Sequence, residues 1–323
     1  MAFVQERKSK GRTYIYLDKS VRIGKKVRKV SKFLGEKSKM SKNRIRQEMK
    51  RFSAEIDSKT LKLVLEQAKK RYHALRYPLS FDEIKKIEEM NLKYRKIRSS
   101  LGRNDWIDIK KRFVANFVFE SNALEGNSLT LKNFSEIIFE SRITDSADLR
   151  EVYDAQNSYK VFSSLFNMKK KITEKLIINI HKRIMKNIDK RVGYKKIPNV
   201  LLGVNIKLTE PENVHDEMEK LIKWYNDNKD NVYPLELAFV FHHRFEKIHA
   251  FSDGNGRVGR MLLNYILIKK GYFPIIIRKS NRNTYLKALN SADHNQTIPL
   301  MRFALDKAKQ TYRKFFEVYV NYV

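Results

Sequence analysis

The sequence of 323 residues is 42% hydrophobic and 11% aromatic, a composition that supports a folded core and excludes a disordered chain. It has no cysteine, which excludes disulfides and cysteine-bound zinc, and no apolar run approaches the roughly 20 residues that a membrane span needs. The net charge of +32 is uneven, because the first 50 residues hold 17 Lys and Arg against 4 Asp and Glu. This excess favours anionic partners such as nucleic acid, unless it reflects basic faces that are merely solvated.

The first segment, residues 1–38, is predicted to form a small basic β element. Arg12–Leu17 and Val27–Leu34 are rich in β-branched and aromatic residues and roughly alternate, so they predict a sheet of two or three strands. No signal peptide precedes them, which predicts a cytoplasmic location. Three aromatic residues either form the core of this sheet or contact nucleic acid, namely Tyr14, Tyr16 and Phe33.

Residues 39–100 predict a helical extension, and residues 101–323 a mostly helical main domain. Within the extension, Ser80 and Glu83 form a capping box that begins a second helix. Apolar periodicity predicts further helices in the main domain, over Asp105–Leu124, Asp148–Asn167, Thr173–Ile188, Glu212–Asn226, Leu235–Lys247, Val258–Ile268, Thr284–Ala292 and Pro299–Val320. Between two of these helices, Val200–Leu208 alternates like a β-hairpin.

One loop, His249–Arg260, concentrates the chemistry of the chain. Its glycines allow backbone N–H groups to converge at a helix N-terminus, an arrangement that binds phosphate. Arg257 and Arg260 lie three residues apart and could both grip a polyphosphate, while Asp253 offers an oxygen ligand to Mg²⁺. His249 can accept a proton at neutral pH.

Two simpler explanations of these residues remain open. His249 and Asp253 could be a structural histidine and a helix cap, although the density of functional groups within twelve residues argues against this. Zinc is the other alternative, because His242 and His249 align on one helix face next to His243. No further histidine or cysteine lies at ligand spacing, and Phe241-His242-His243 is typical of a helix face against a core.

His249–Arg260 matches the Fic signature H-x-F-x-[D/E]-G-N-G-R-x-x-R at every fixed position. The sequence is therefore similar to the Fic family over about residues 100–310. The resemblance implies a mainly α fold, a Fic-type helical domain with a β-hairpin flap. It also implies transfer of AMP from ATP to a Tyr, Thr or Ser hydroxyl of a target protein, with release of pyrophosphate. The second glycine and the full arginine pair distinguish the sequence from the branch of the family that phosphorylates its targets.

The resemblance also assigns roles to individual residues. His249 would deprotonate the target hydroxyl, Asp253 would bind Mg²⁺, and Arg257 would stabilise charge as pyrophosphate leaves. Phosphate and nucleotide contacts would come from Gly254, Asn255, Gly256, Arg257, Arg260 and Tyr285. A flap within about residues 194–210 would hold the target segment beside the site as an added strand, through Leu201, Leu202, Gly203 and Val204.

A second motif of the family lies upstream of the signature. Ser121-Asn122-Ala123-Leu124-Glu125-Gly126 matches its inhibitory pattern [S/T]-x-x-x-E-[G/N]. On its own, Glu125 would be an ordinary surface glutamate before a glycine that ends a helix. The resemblance instead implies an inhibitory helix over about residues 105–125, in which Glu125 pairs with Arg260 and obstructs ATP.

Other functions and partners remain possible from the sequence. The same residues would serve removal of AMP from a modified protein, with Glu125 positioning water. A regulator that binds nucleic acid through the basic N-terminus is an alternative from another class of function. The resemblance also allows a homodimer.

Overall fold

The computed structural model describes residues 2–23, 26–72, 79–143, 148–199 and 208–322. The chain folds as two compact units, which meet in sequence between Leu101 and Gly102. The first contains a small sheet and two long helices, and the second contains the remaining helices. The mainly α fold class predicted from the sequence is confirmed, whereas the three-part division at residues 38 and 100 stays a prediction.

The N-terminal unit begins with three antiparallel strands in the order β1-β2-β3. They are β1 (Phe3–Ser9), β2 (Arg12–Ile23) and β3 (Lys26–Glu36), followed by α1 (Lys42–Tyr72) and α2 (Phe81–Ser100). Leu17 and Val21 of β2 are buried on the side of α1, as alternation along a strand requires. Both halves of the predicted capping box are present, because Ser80 accepts from the Glu83 amide and Glu83 accepts from the Ser80 amide.

The second unit is built from helices. In chain order they are α3 (Arg103–Leu124), α4 (Leu131–Ser135), α5 (Leu149–Leu165), α6 (Glu174–Ile184), α7 (Val214–Asn228), α8 (Pro234–Ile248), α9 (Asn255–Lys269), α10 (Arg282–Asp293) and α11 (Ile298–Thr311). None of the helices in the described part of the chain is long and apolar enough to cross a membrane.

Helix α9 lies at the centre of this unit. Every residue from Asn255 to Leu267 is buried, and α8 packs along it. A helix that is covered on all sides shows no polar face, so its long apolar run from Met261 follows from its position. The loop that joins α8 to α9 is the predicted functional loop.

One predicted helix end is wrong, and another predicted helix is less regular than expected. The helix predicted to reach Ile188 ends at Ile184, because the chain turns through Asn187, which has a φ of +63°. The last predicted helix is regular only to Thr311 and then widens into a π-helical turn over Tyr312–Phe316. This turn places the Phe316 ring 5.4 Å from that of buried Phe113, and such packing outweighs regular helix geometry.

Candidate active site

The loop between α8 and α9 is held in one conformation by its own side chains. His249 ends α8 in the left-handed region at φ +51°, and Phe251 is fully buried. Asn255 closes the turn in both directions: its Oδ1 accepts from the Phe251 amide at 2.9 Å, and its Nδ2 donates to the Phe251 carbonyl at 2.7 Å. The amides at the start of α9 are therefore pre-positioned for an anion.

His181 of α6 packs against the same loop. Its ring stacks on Phe251 with centroids 3.8 Å apart, and its Nε2 lies 3.1 Å from the Asp253 carbonyl oxygen. Burial lowers the pKa of His181 to about 4, so the ring is neutral at physiological pH. Because a neutral imidazole has one donor nitrogen, His181 can donate to this carbonyl without adding charge to the site.

A cavity of about 270 Å³ opens beside the loop. Five residues that the sequence assigned to the site line it, namely Glu125, His249, Gly256, Arg260 and Tyr285. Burial and the Lys195 ammonium lower the pKa of His249, so its imidazole is neutral at pH 7 and available as a base.

Arg260 is almost fully enclosed, with only 3% of its side chain exposed. Its guanidinium donates to Glu125 Oε1 at 2.7 Å, to Ser121 Oγ at 2.9 Å and to the Ser121 carbonyl at 2.9 Å. Burial disfavours its charge, but the Glu125 carboxylate, with smaller contributions from Tyr285 and Glu246, outweighs that effect and raises the pKa of Arg260. The ion pair predicted between Glu125 and Arg260 is present.

Two glycines make this contact possible. Gly126 follows Glu125 with a φ of +100° and ends α3, which leaves the glutamate on the last turn facing Arg260. At Gly256, any side chain would collide with the Glu125 carboxylate and the Arg260 guanidinium. The close approach of the end of α3 to the start of α9 therefore requires glycine at position 256.

Asp253 and Arg257 form a second cluster of charges. Arg257 is bonded to Asp154 of α5 and lies 3.2 Å from Asp253, and Arg150 lies 2.6 Å from the other oxygen of Asp253. Arg150 and Asp154 carry no local motif, and they come from a different helix about a hundred residues away. Asp253 is one-third exposed and its Arg150 partner is largely exposed, so the carboxylate is open to exchange its partner.

His242 and His243, two candidate zinc ligands from the sequence, have other partners. His242 Nε2 lies 2.7 Å from the Tyr285 hydroxyl, and His243 Nε2 lies 2.9 Å from Asp293. Burial lowers the pKa of His242 to about 3, so it is neutral. Among the residues that the structure describes, no group of three or more His, Asp or Glu side chains could hold a metal ion by itself.

The sequence-predicted site is therefore brought together around the start of α9. The flap residues Leu201, Leu202, Gly203 and Val204 lie outside the described residues, although Leu208 next to them lines the cavity. Several residues of the site were missed by the sequence because they carry no local motif. These are Arg150, Asp154, His181, Lys195, Glu246 and Arg282.

The second unit thus contains a buried central helix, a glycine-containing loop at the N-terminus of that helix and a histidine beside the loop. Residues 171–267 match the model of the Fic/DOC family. The chain therefore contains a domain of the Fic/DOC family.

Known relatives extend the similarity beyond that segment. A protein named protein adenylyltransferase Fic from Nematostella vectensis is 30% identical over 201 residues, which cover 60% of this chain and 47% of the relative. One of the same name from Drosophila yakuba is 28% identical over 207 residues, with 62% and 42% covered. The matched part of the chain thus spans less than half the length of these relatives.

A solved structure has the same fold. The Fic-domain-containing signaling protein from Bacteroides thetaiotaomicron superposes with a TM-score of 0.67 at 25% identity. The match covers 72% of this chain and 97% of that one.

Proposed function

We propose that this protein is a self-inhibited adenylyltransferase that moves AMP from ATP to a Tyr, Thr or Ser hydroxyl of a target protein. The observation that carries the proposal is the shared cavity: a neutral histidine, the start of α9 and the Glu125–Arg260 ion pair all line it. The name that the relatives share, protein adenylyltransferase Fic, supports the same activity.

The chemistry follows from the positions of these groups. His249 takes the proton of the target hydroxyl, whose oxygen then forms a bond to the α-phosphorus of ATP while the bond to pyrophosphate breaks. The amides at Gly254–Gly256 and the guanidinium of Arg257 would stabilise the negative charge that develops on the phosphates. Arg260 and Tyr285 would contact the nucleotide, and the flap at Leu201–Val204 would hold the target.

Mg²⁺ is the cofactor that this site fits. Asp253 presents a partly exposed carboxylate beside the phosphate-binding loop, and its partner Arg150 is exposed enough to move away. Magnesium is usually held by one or two carboxylates together with phosphate oxygens and water, which agrees with a single carboxylate here. When bound, the ion would offset the charge of the phosphates.

Inhibition rests on the same arginine. While Arg260 is bonded to Glu125, its guanidinium cannot meet the terminal phosphate of ATP, and the glutamate adds negative charge where that phosphate would lie. Ser121 and Gly126 would serve this state by fixing the arginine and the turn. A cytoplasmic location, which the sequence predicts, and the homodimer and nucleic-acid partner, which it allows, stay predictions.

Glu125→Gly tests both parts of the proposal. The variant should transfer label from α-labelled ATP with Mg²⁺ to itself or to a lysate protein at least tenfold faster than the wild type. Adding His249→Ala should abolish the transfer, and EDTA should suppress it. Glu217→Gly is a matched control, because Glu217 is a similarly exposed, ion-paired glutamate that does not line the cavity.

Two results would count against the proposal. If Glu125→Gly binds ATP and Mg²⁺ but transfers no label, the site is not a transferase. If the wild type instead releases label from a pre-modified protein, and loses this activity with Glu125→Gly, the residues serve removal of AMP.

A further inference from the structure

The N-terminal sheet has one face in a core and one face open. Leu17 and Val30 are buried with Ile56 of α1, and alternation along β2 places Tyr14 and Tyr16 on the opposite face. The strand register pairs Tyr16 with Phe33, so Phe33 joins them there. The sequence left open whether these aromatics form the core of the sheet. They do not, since 51% of Phe33 is exposed and both tyrosines are only partly covered.

The three rings form one cluster. The Phe33 centroid lies 5.9 Å from that of Tyr14 and 5.4 Å from that of Tyr16. An apolar cluster of this kind on the open side of a sheet costs solvation free energy unless a ligand covers it. We call Tyr14, Tyr16 and Phe33 the aromatic cluster.

Cations border the aromatic cluster. The Arg7 guanidinium lies 4.0 Å from the centre of the Tyr16 ring, and Arg7 and Lys29 both bond to Asp18 at 2.8 and 2.6 Å. Asp18 is fully covered, and although burial disfavours its charge, bonds from Lys29, Ser31 and Arg7 hold its pKa below the ordinary range. One buried carboxylate thus positions two cations on the open face, which leaves a positive charge there.

We propose that this open face binds single-stranded nucleic acid. Unpaired bases stack on exposed aromatic rings whatever their sequence, and nearby Lys and Arg neutralise the phosphates. The first 50 residues, which include the whole sheet, supply the complementary charge of +13. A duplex hides the faces of its bases, so it would use the cations but not the aromatic cluster. This function is separate from the proposed transfer of AMP.

Fluorescence anisotropy of the full-length protein with labelled 20-nucleotide strands tests the proposal. Both DNA and RNA strands should bind, and a duplex of the same length should bind more weakly. Phe33→Ala should weaken binding of the strands roughly tenfold, the usual effect of losing one stacked base, while Phe33→Tyr should keep it. Phe33→Leu, which retains an apolar side chain without a ring, should behave like Phe33→Ala.

Two control variants separate the open face from the rest of the unit. Phe81 on α2 is also a partly exposed aromatic with a lysine over its ring, so Phe81→Ala should leave binding unchanged. Lys29→Gln should lower the slope of log affinity against log salt by about 0.7, the loss of one phosphate contact. Lys59→Gln, at a similarly exposed ion-paired lysine of α1, should leave the slope as it is.

Several results would overturn the proposal. They are an absence of binding to either strand, equal affinities of Phe33→Ala and Phe81→Ala, or a duplex or heparin that binds as tightly as the strands. The last result would mean that only charge is recognised. Circular dichroism confirms that each variant is folded. Transfer of AMP by Glu125→Gly is measured separately and decides nothing about this face.

Discussion

The most consequential single residue that the sequence did not reveal is Lys195. Its side chain is buried, and its ammonium has no hydrogen-bond partner within the described part of the chain. Burial lowers the pKa of Lys195. Its charge, second only to burial, lowers the pKa of His249. A buried cation near the base would therefore keep the imidazole neutral, the form that can accept a proton from the target.

Replacing this charge should move the pH dependence of the reaction. A base with a lowered pKa stays active below the ordinary histidine range. With Lys195→Met in the Glu125→Gly protein, the pKa of His249 should rise, and the acid limb of kcat/KM should shift to higher pH. At pH values well above the pKa of His249, kcat/KM should change less than it does on the acid limb.

Lys196→Met is the control, because Lys196 is the exposed neighbour of Lys195 in the sequence. An acid limb that lies at the same pH in both variants would show that Lys195 does not tune the base. Transfer is measured across about pH 5 to 9, with folding checked at each end.

How much of the site the sequence could predict depends on where each residue comes from. His249, Asp253, Arg257 and Arg260 follow from one contiguous loop, whose residue types already combine a base with phosphate ligands. Glu125 was found through a second motif, and its bond to Arg260 is present. Lys195, His181 and Arg150 reach the site from separate segments, and only tertiary folding brings them together.

At the scale of elements, the end of α3 is the part of the fold that sets the proposed inhibition. Glu120, one turn before Glu125, bonds to Arg278 at 2.9 Å and accepts from the Lys279 amide at 2.8 Å. The Arg282 side chain also donates to the Leu124 carbonyl at 3.3 Å. The end of α3 is thus bonded to Arg278 and Lys279 just before α10 and to Arg282 at the start of α10, and this tie holds Glu125 against Arg260.

Loosening this tie should relieve inhibition in part. Glu120→Ala removes the bonds to Arg278 and Lys279, so it should raise AMP transfer roughly fivefold, which corresponds to about 1 kcal/mol of lost contacts. The increase should stay below that of Glu125→Gly, because Glu125 itself remains. Asp108→Ala is the control on the same helix, as Asp108 is exposed and lies 3.8 Å from Lys111. Equal rates for Glu120→Ala and Asp108→Ala would contradict the role of the tie.

Elements were predicted well where apolar periodicity and caps agree. The N-terminus of α2 follows from the capping box of Ser80 and Glu83, and this box is present. The exposed side of the sheet could not be assigned, since Tyr14, Tyr16 and Phe33 suit a core and a stacking surface equally well. The π-helical turn after α11 was missed because it depends on packing between distant phenylalanines.

At the scale of the whole molecule, the mainly α fold class and the basic charge could be predicted from the sequence. Each depends on many residues together and not on any single contact. Which ionisable side chains are buried inside the second unit could not be predicted, because a sequence pattern treats every such residue as a polar position. Glu236 in α8 is fully buried, and neither of its carboxylate oxygens has a hydrogen-bond partner in the part of the chain that the structure describes. Burial raises its pKa to about 8.

This buried acid should make the stability of the protein fall as pH rises. In the unfolded chain the carboxyl ionises near its ordinary pKa of about 4.3, whereas in the fold it stays protonated up to about pH 8. Its contribution to stability is therefore complete below pH 4 and is lost progressively up to pH 8. Glu236→Gln replaces the acid with a neutral group of the same shape, so it should raise Tm by roughly 5 °C at pH 8.

Near pH 4 the two proteins should melt at nearly the same temperature, because the wild-type carboxyl is then protonated in both states. The measurement is thermal unfolding followed by circular dichroism between about pH 4 and 9, for the wild type, Glu236→Gln and the exposed control Glu217→Gln. A difference in Tm that does not change with pH would mean that Glu236 is ionised in the fold. That result would contradict the proposal that Glu236 is protonated in the folded protein.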